Sequence, residues 1–415
     1  MSYIYEETYK YPTCICLNVT DSCNLACKYC FVQQKPHFMT IDLAKQTIDW
    51  LVNNLKNKNS LLVDKKLDKA DLNFFGGEPM LLYDDIIVPL VLYTEEKYPN
   101  LVHFGITTNG TLLNKERIDF LKEHNFSILL SIDGDKETQN FNRPQRNGEG
   151  SFDLVEKNID YLLQNFPTTT FRATIYQPTV KYLYENYLYA ISKGFRNIFL
   201  CPNAREDWTE EHIEELKLEL NKIYLHRIAC YLNDIEPIGF TLIDKAFCDI
   251  LEHDLQIYNN EFNNLSPNRR VIRCGIGTGS ASVAYDGKIF GCQEQDSRDT
   301  NDYFYIGNIF DGIDVNRHNR ILSDYNKAEK LVCENQNLCE NCPMRFNCID
   351  EMCPSVSYDR FKTFFIRPKI DCIFHQELFK NAILSMKILV DKDKNEKFKN
   401  YLDKIYKNYK KEAEK

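Results

Sequence analysis

No stretch of this 415-residue sequence approaches the ~20 apolar residues that a membrane-spanning helix needs, so no such helix is expected. The opening run, Met1-Ser-Tyr-Ile-Tyr-Glu-Glu-Thr-Tyr-Lys10, has no basic end followed by an apolar stretch, and no secretory signal is expected either. Positive charge is in deficit: 51 Lys and Arg stand against 60 Asp and Glu, and the net charge of −9 argues against a general nucleic-acid binder. The tail after Gln376 is locally Lys-rich, as in Lys394-Asn-Glu-Lys-Phe-Lys399 and Lys407-Asn-Tyr-Lys-Lys411. Its acids fall at helical spacing, so it reads as a solvated surface helix rather than a nucleic-acid arm. Internal repeats and low-complexity tracts are missing, and 43% apolar content over this length fits a globular chain of two or three domains.

Cysteine, by contrast, is abundant, with sixteen in the chain. The expected compartment is the reducing cytosol, where clustered cysteines mean metal or redox chemistry more often than structural disulfides. Three of them, Cys23, Cys27 and Cys30, lie in Asp21-Ser-Cys-Asn-Leu-Ala-Cys-Lys-Tyr-Cys-Phe31. A C-x3-C-x2-C triplet offers one thiolate fewer than the four that usually complete a 4Fe-4S cluster, which would leave one iron open for chemistry. Taken alone, the triplet fits part of a zinc site or ordinary buried packing as well.

Six β-rich runs alternate with amphipathic segments: residues 14–20, 71–75, 103–107, 127–132, 169–175 and 197–201. Helical patterns fill the gaps, for example 41–55, 114–124 and 152–164. This alternation predicts an α/β fold with a parallel sheet and right-handed crossovers, and six units predict a partial (β/α)6 TIM-like barrel over residues 1–205. Long charged helices without intervening strands follow as a bridge over 206–270. From Cys274 to Cys372 the chain becomes loop-rich and holds eight of the sixteen cysteines, which reads as a metal-stapled domain over 271–375. A helical tail occupies 376–415. Cys14 and Cys16, which share a facing on the first strand, and Cys230 are expected to be buried small residues.

In a parallel α/β barrel, functional groups gather at the carboxyl ends of the strands. The cysteine triplet follows the first strand, Gly76-Gly-Glu-Pro79 the second, Thr107-Thr-Asn-Gly110 the third and Ser131-Ile-Asp-Gly134 the fourth. Gly76 and Gly77 lack side chains, so backbone groups could approach a ligand amine, and Glu78 offers a carboxylate nearby. With an aromatic residue, Tyr29, before the last cysteine and a later Gly-Gly-Glu, residues 12–202 resemble radical S-adenosylmethionine enzymes. The resemblance implies that the open iron chelates the amine and carboxylate of S-adenosylmethionine, and that an electron from the cluster cleaves the sulfonium to a 5′-deoxyadenosyl radical. It also implies cofactor contacts from Tyr29, Gly76, Gly77, Glu78, Thr108, Asn109, Ser131 and Arg143, with Arg172 as a weaker candidate or a structural ion-pair partner.

The later cysteines resemble the seven-cysteine SPASM domain, which carries two auxiliary 4Fe-4S clusters. Cys274 is followed by twelve residues, Gly287, four residues and Cys292; then come Cys339-x2-Cys342-x5-Cys348-x4-Cys353 and Cys372. One departure is visible, since the usual pattern has three residues before the sixth cysteine. By this resemblance Cys339, Cys342, Cys348 and Cys372 hold the distal cluster, and Cys274, Cys292 and Cys353 the nearer one. Either Cys333 or Cys248 completes the nearer cluster, or one of its irons is open to substrate. The metal inventory so implied is three 4Fe-4S clusters.

Enzymes of this resemblance mostly act on peptides or proteins. The expected function is maturation of a ribosomally made peptide by an intramolecular thioether, carbon–carbon or ether cross-link, with flavodoxin or ferredoxin as electron donor. With 22 residues ahead of Cys23, leader recognition is expected of a separate protein or of direct substrate contact. The alternative is an anaerobic sulfatase maturase that makes formylglycine. Against it, that family has Gln before Gly-Gly-Glu and Asp after the Gly-x4-Cys cysteine, where this chain has Phe75 and Gln293. Gln cannot act as a general base; Glu294 and Asp296 are candidate replacements, and Cys201, at the end of the sixth strand, is a candidate to touch substrate. A non-catalytic iron–sulfur electron carrier has no need of a cofactor site beside its cluster.

Overall fold

The computed structural model describes residues 10–62, 66–233, 235–258, 276, 280–297, 302–326, 332–333, 353–364, 366–390 and 396–413. In chain order, strands and helices alternate as β1 (Cys14–Thr20), α1 (Ile41–Leu61), β2 (Ala70–Gly76), α2 (Val88–Lys97), β3 (Val102–Thr108), α3 (Lys115–Glu123), β4 (Ser127–Ser131), α4 (Lys136–Asn142), α5 (Phe152–Asn165), β5 (Thr170–Ile175), α6 (Leu183–Ser192) and β6 (Asn197–Pro202). All six strands expected from the sequence are present, each within one residue or so at either end. The chain then continues through α7 (Glu210–Leu232), β7 (Gly239–Phe240), α8 (Thr241–Tyr258), β8 (Ser280–Val283), β9 (Lys288–Phe290), β10 (Tyr305–Asn308), β11 (Gly312–Ile313), α9 (Val315–Asn326), α10 (Pro354–Phe361), α11 (Lys369–Val390) and α12 (Glu396–Ala413).

The chain divides into two compact units, discontinuous in sequence: residues 1–132, 139–169 and 275–327 form one, and 133–138, 170–274 and 328–415 the other. In the first, β1 to β4 pair in parallel, with Cys14 opposite Asp71 and Ala70 opposite Val102. Their helix-facing side buries Ile15, Leu17, Val19, Leu72, Phe74 and Phe104, and the Phe74, Phe104 and Phe126 rings stack at 5.4–6.1 Å. The other face of β1 is not packed as expected: Cys14 is exposed and Cys16 half-buried. An incomplete barrel leaves part of its inner face to solvent, where a closed one would fill it with side chains. Local signals start the helices, as Thr40 accepts from the Leu43 amide and Asn114 from the Arg117 amide.

The segment from Ser280 is more ordered than its loop-rich composition implies. β8 runs parallel to β1, and β9, β10 and β11 follow as an antiparallel meander. The β8–β9 hairpin turns at Asp286-Gly287, where Gly287 has φ +84°, the left-handed conformation such a turn demands. These strands are two to four residues long, too short for alternation to announce them.

In the second unit β5 pairs in parallel with β6, and β6 with β7. β7 corrects the expectation of a bridge free of strands; two residues carry no periodic signal. Arg227 on α7 is buried and pairs with Asp244 on α8 at 3.2 Å. The tail is not simply a solvated helix, because α12 buries Phe398 against Tyr231 and Phe247. Cys230, expected inside, is half-buried on α7. Among the described residues no helix is long and apolar enough to cross a membrane.

Candidate active site

The cysteine loop leaves β1 through a register shift between Asn18 and Thr20 and is pinned from both sides. On one side the Met39 amide donates to the Val19 carbonyl at 2.8 Å, and the Ser22 hydroxyl to the Lys35 carbonyl at 3.0 Å. On the other, the Ala26 and Lys28 amides donate to the carbonyls of Pro144 and Asn142 at 2.8 and 2.9 Å. That second strap carries Arg143, whose guanidinium lies 5.3 Å from the centre of the Tyr29 ring, within cation–π range. Tyr29 and Arg143, joined in the sequence only by resemblance, are thus neighbours.

The Gly-Gly-Glu segment runs alongside this loop as a further short ladder, with the Gly77 amide donating to the Thr20 carbonyl at 2.8 Å and the Glu78 amide to the Ser22 carbonyl at 2.9 Å. A Cβ on Gly76 would stand 2.2 Å from the Thr20 oxygen, and one on Gly77 2.2 Å from the Ser22 oxygen. Glycine is therefore required by the close approach of two protein backbones, a cause separate from any approach to a ligand.

Glu78 differs further from its expected role. It is 1% exposed, and its carboxylate accepts from the Thr108 hydroxyl and the Asn109 amide, both at 2.7 Å, and from the Met80 amide at 3.1 Å. The side chain that was to stand ready for a ligand braces the ends of β2 and β3 instead. Burial pushes its carboxyl up to about 7 despite those donors. Thr108 is likewise committed, donating to Glu78 and accepting from the Gly110 amide. Asn109 reaches the cysteine loop, with its side-chain nitrogen 2.9 Å from the Asn24 side-chain oxygen and 3.7 Å from the Cys23 sulfur.

Among the described residues no three Cys, His, Asp or Glu side chains close up around a single metal ion. A cluster of several atoms needs its thiols set wider, and the cysteine loop fits one on the chemistry of its donors. Burial pushes the Cys23 thiol up to about 12, with the Glu78 charge and the neighbouring Cys27 and Cys30 thiols adding to the effect. Bound iron would hold such a thiol as the thiolate. The Leu25 amide at 3.4 Å and the Asn109 side chain both aim N–H groups at its sulfur, the hydrogen bonds that tune a ligating thiolate.

Ser131 is half-buried at the end of β4. Cys292 is buried after β9, and its sulfur accepts from the Glu294 amide at 3.5 Å. Asp296, a candidate base, is 7% exposed and bonded within the protein: one oxygen accepts from the Asn18 side chain at 3.0 Å and the other from the Ser282 hydroxyl. Burial pushes its carboxyl up to about 7. Asp296 is thus a buried, internally bonded carboxylate, whereas Glu294 is half-buried. Asn18 and Asp21, not expected from sequence, are parts of this network; the available signal is a polar residue inside the apolar run Cys14-Ile-Cys-Leu-Asn-Val-Thr20.

The remaining candidates belong to the second unit. Arg172 donates to the Thr174 hydroxyl at 2.6 Å and lies over Phe199, so among the described residues its contacts are a hydroxyl and a ring rather than an ion pair. Cys201 is half-buried, its thiol 3.7 Å from the Pro202 carbonyl oxygen. Cys353 caps α10 and Cys372 lies in the first turn of α11, both half-buried, while Cys248 is buried on α8. Cys333 sits in a two-residue strand paired with residues 366–367. Cys274, Cys339, Cys342 and Cys348 lie outside the described residues.

The Radical SAM superfamily pattern matches residues 17–190. An uncharacterized protein of Methanocaldococcus jannaschii is 31% identical over 256 residues, 60% of this chain and 82% of that protein. The radical SAM cyclopropyl synthase TigE of Paramaledivibacter caminithermalis is 22% identical over 94% of this chain and 76% of its own, and a cysteine-type anaerobic sulfatase-maturating enzyme of Clostridium novyi 25% identical over 66% and 71%. The solved structure of anSMEcpe with bound AdoMet has a TM-score of 0.68 at 18% identity, covering 95% of this chain and 98% of that one, which shows a shared fold. With its parallel β/α core, cysteine loop and Gly-Gly-Glu brace, the chain belongs to the radical SAM superfamily and is an enzyme of S-adenosylmethionine and a 4Fe-4S cluster.

Proposed function

We propose that this enzyme modifies a ribosomally made peptide, installing an intramolecular thioether, carbon–carbon or ether cross-link. One observation carries the reading: the loop of Cys292 docks on β1 through Asn18 and Asp296, in the same compact unit as the cysteine triplet and the Gly-Gly-Glu segment. An enzyme whose radical step is completed at a second cluster needs those two loops held together. Similarity to the cyclopropyl synthase TigE along nearly the whole chain supports it.

In this reading Cys23, Cys27 and Cys30 hold the radical-generating cluster, which, when bound, supplies the electron that turns S-adenosylmethionine into a hydrogen-abstracting radical source. Leu25 and Asn109 stabilise the Cys23 thiolate, and Glu78 fixes Asn109 by holding its amide. Arg143, oriented on the Tyr29 face, meets the cofactor carboxylate; Gly76, Gly77 and Ser131 contact its amine and ribose. Cys274, Cys292 and Cys353 serve the nearer auxiliary cluster and Cys339, Cys342, Cys348 and Cys372 the distal one. The partners are the peptide and a flavodoxin or ferredoxin.

Anaerobic incubation of the reconstituted chain with S-adenosylmethionine and a reductant is expected to release 5′-deoxyadenosine. Cys23→Ala, Cys27→Ala and Cys30→Ala should release none, and retained cleavage would remove the radical reading. If the neighbouring reading frames encode a short Cys-rich or repetitive peptide, mass spectrometry of that peptide should show loss of two hydrogen atoms per cross-link. The similarity to sulfatase maturases keeps a second reading; formylglycine formed on a sulfatase peptide would establish it in place of the first.

A further inference from the structure

Asn18 lies on β1 and is 1% exposed. Its side-chain nitrogen stands 3.0 Å from an Asp21 oxygen and 3.0 Å from an Asp296 oxygen, so one NH2 group serves two carboxylates. Asp21 is also 1% exposed; its other oxygen lies 2.9 Å from Nδ1 of His37, whose ring stacks on Tyr285 at 4.2 Å. The other oxygen of Asp296 takes the Ser282 hydroxyl. On the far side of the amide, the Asn18 carbonyl oxygen would stand 2.4 Å from a Cβ on Gly76.

One side chain therefore touches three loops. Asp21 lies two residues before Cys23, Asp296 four residues after Cys292, and Gly76 opens the Gly-Gly-Glu segment. Apolar packing would stabilise a buried junction at least as well as this network. What a buried polar network adds is uniqueness: two buried carboxylates share an amide in one arrangement only, and removing one member leaves the others uncompensated.

We propose that Asn18 is a positioning residue that couples the two cysteine loops. Seating Asp296 on the Asn18 amide fixes Asp21, and Asp21 sets the Cys23 loop for the cluster and S-adenosylmethionine. The inference rests on the reading of Cys23 and Cys292 as cluster ligands, and it goes beyond that reading by making the order of one loop depend on the other.

The test compares Asp296→Ala with Asp296→Asn in the reconstituted full chain at pH 7. Asn keeps an acceptor for the Asn18 amide; Ala does not. Hydrogen exchange should rise at least tenfold in Asp296→Ala both at residues 292–297 and at 21–31, and the electron paramagnetic resonance change on adding S-adenosylmethionine should weaken. Asp296→Asn should keep both near wild type. Loosening confined to 292–297, with 21–31 and the spectrum unchanged, would overturn the coupling. Should Asp296→Ala fail to fold, Ser282→Ala removes only one of the donors to Asp296 and must show the same paired loosening. Cys292→Ala tests the underlying reading separately: unchanged iron content would remove Cys292 as a ligand, whereas the exchange data judge the coupling on their own.

Discussion

Replacing Glu78 by Gln should reverse its effect on stability with pH. The carboxylate is buried, accepts three hydrogen bonds and titrates at about 7 in the folded chain, above the ordinary 4.5. A folded pKa above the unfolded one means a contribution fully present below pH 4.5 and lost as pH rises through about 7. The shift corresponds to about 3 kcal/mol between those limits. Gln does not ionise, so it escapes that loss. Its NH2 group cannot accept, however, which leaves either the Met80 or the Asn109 amide without its acceptor, at a cost of about 1–3 kcal/mol. The variant should be looser than wild type at pH 5 and as tight or tighter at pH 8. A chain of two compact units has no single unfolding free energy. The appropriate assay is therefore hydrogen exchange at residues 76–82 and 107–111, as the ratio of variant to wild type at each pH, which cancels the intrinsic pH dependence of exchange. The ratio should move by about a hundredfold between pH 5 and 8. A ratio constant across that range would refute the burial argument.

Two further outcomes are expected. Gly77→Ala places a methyl 2.2 Å from the Ser22 oxygen, a backbone atom that can yield only by moving the cysteine loop; affinity for S-adenosylmethionine by equilibrium dialysis should fall at least tenfold, and unchanged affinity would dissociate the two loops. Anaerobic reconstitution should give about twelve irons per chain if all three cysteine sets hold 4Fe-4S clusters. About four irons, with zinc in the remainder, would sink the auxiliary-cluster assignment.

What could be read from sequence and what could not separate along a physical line. The first strand was legible because it buries a helix-facing row, in which Ile15, Leu17 and Val19 alternate with Cys14, Cys16 and Asn18 as the pleat demands, and β5 and β6 alternate likewise. The cysteine triplet and Gly-Gly-Glu were legible as types at a spacing. The strands from β7 onward were not, being two to four residues long and stabilised by joining an existing sheet edge rather than by their own pattern. Nor was the use made of Gly76, Gly77 and Glu78. Sequence assigned all three to a ligand; the structure adds a backbone crossing that the glycines alone permit, and ties the carboxylate to the ends of β2 and β3.

Asp296 makes the same point for the chemistry. A carboxylate four residues past Cys292 looks from sequence like a replacement for a missing base, because sequence supplies the group without its neighbours. Asn18 lies 278 residues away along the chain, and only folding reveals that its amide already occupies that carboxylate. A base must be reached by substrate. Asp296 is 7% exposed with its oxygens taken up by Asn18 and Ser282, which sets it apart from the half-buried Glu294, two residues from Cys292. The carboxylate nearest in kind to a catalytic one is thus better explained as the fastening of the loop that carries Cys292.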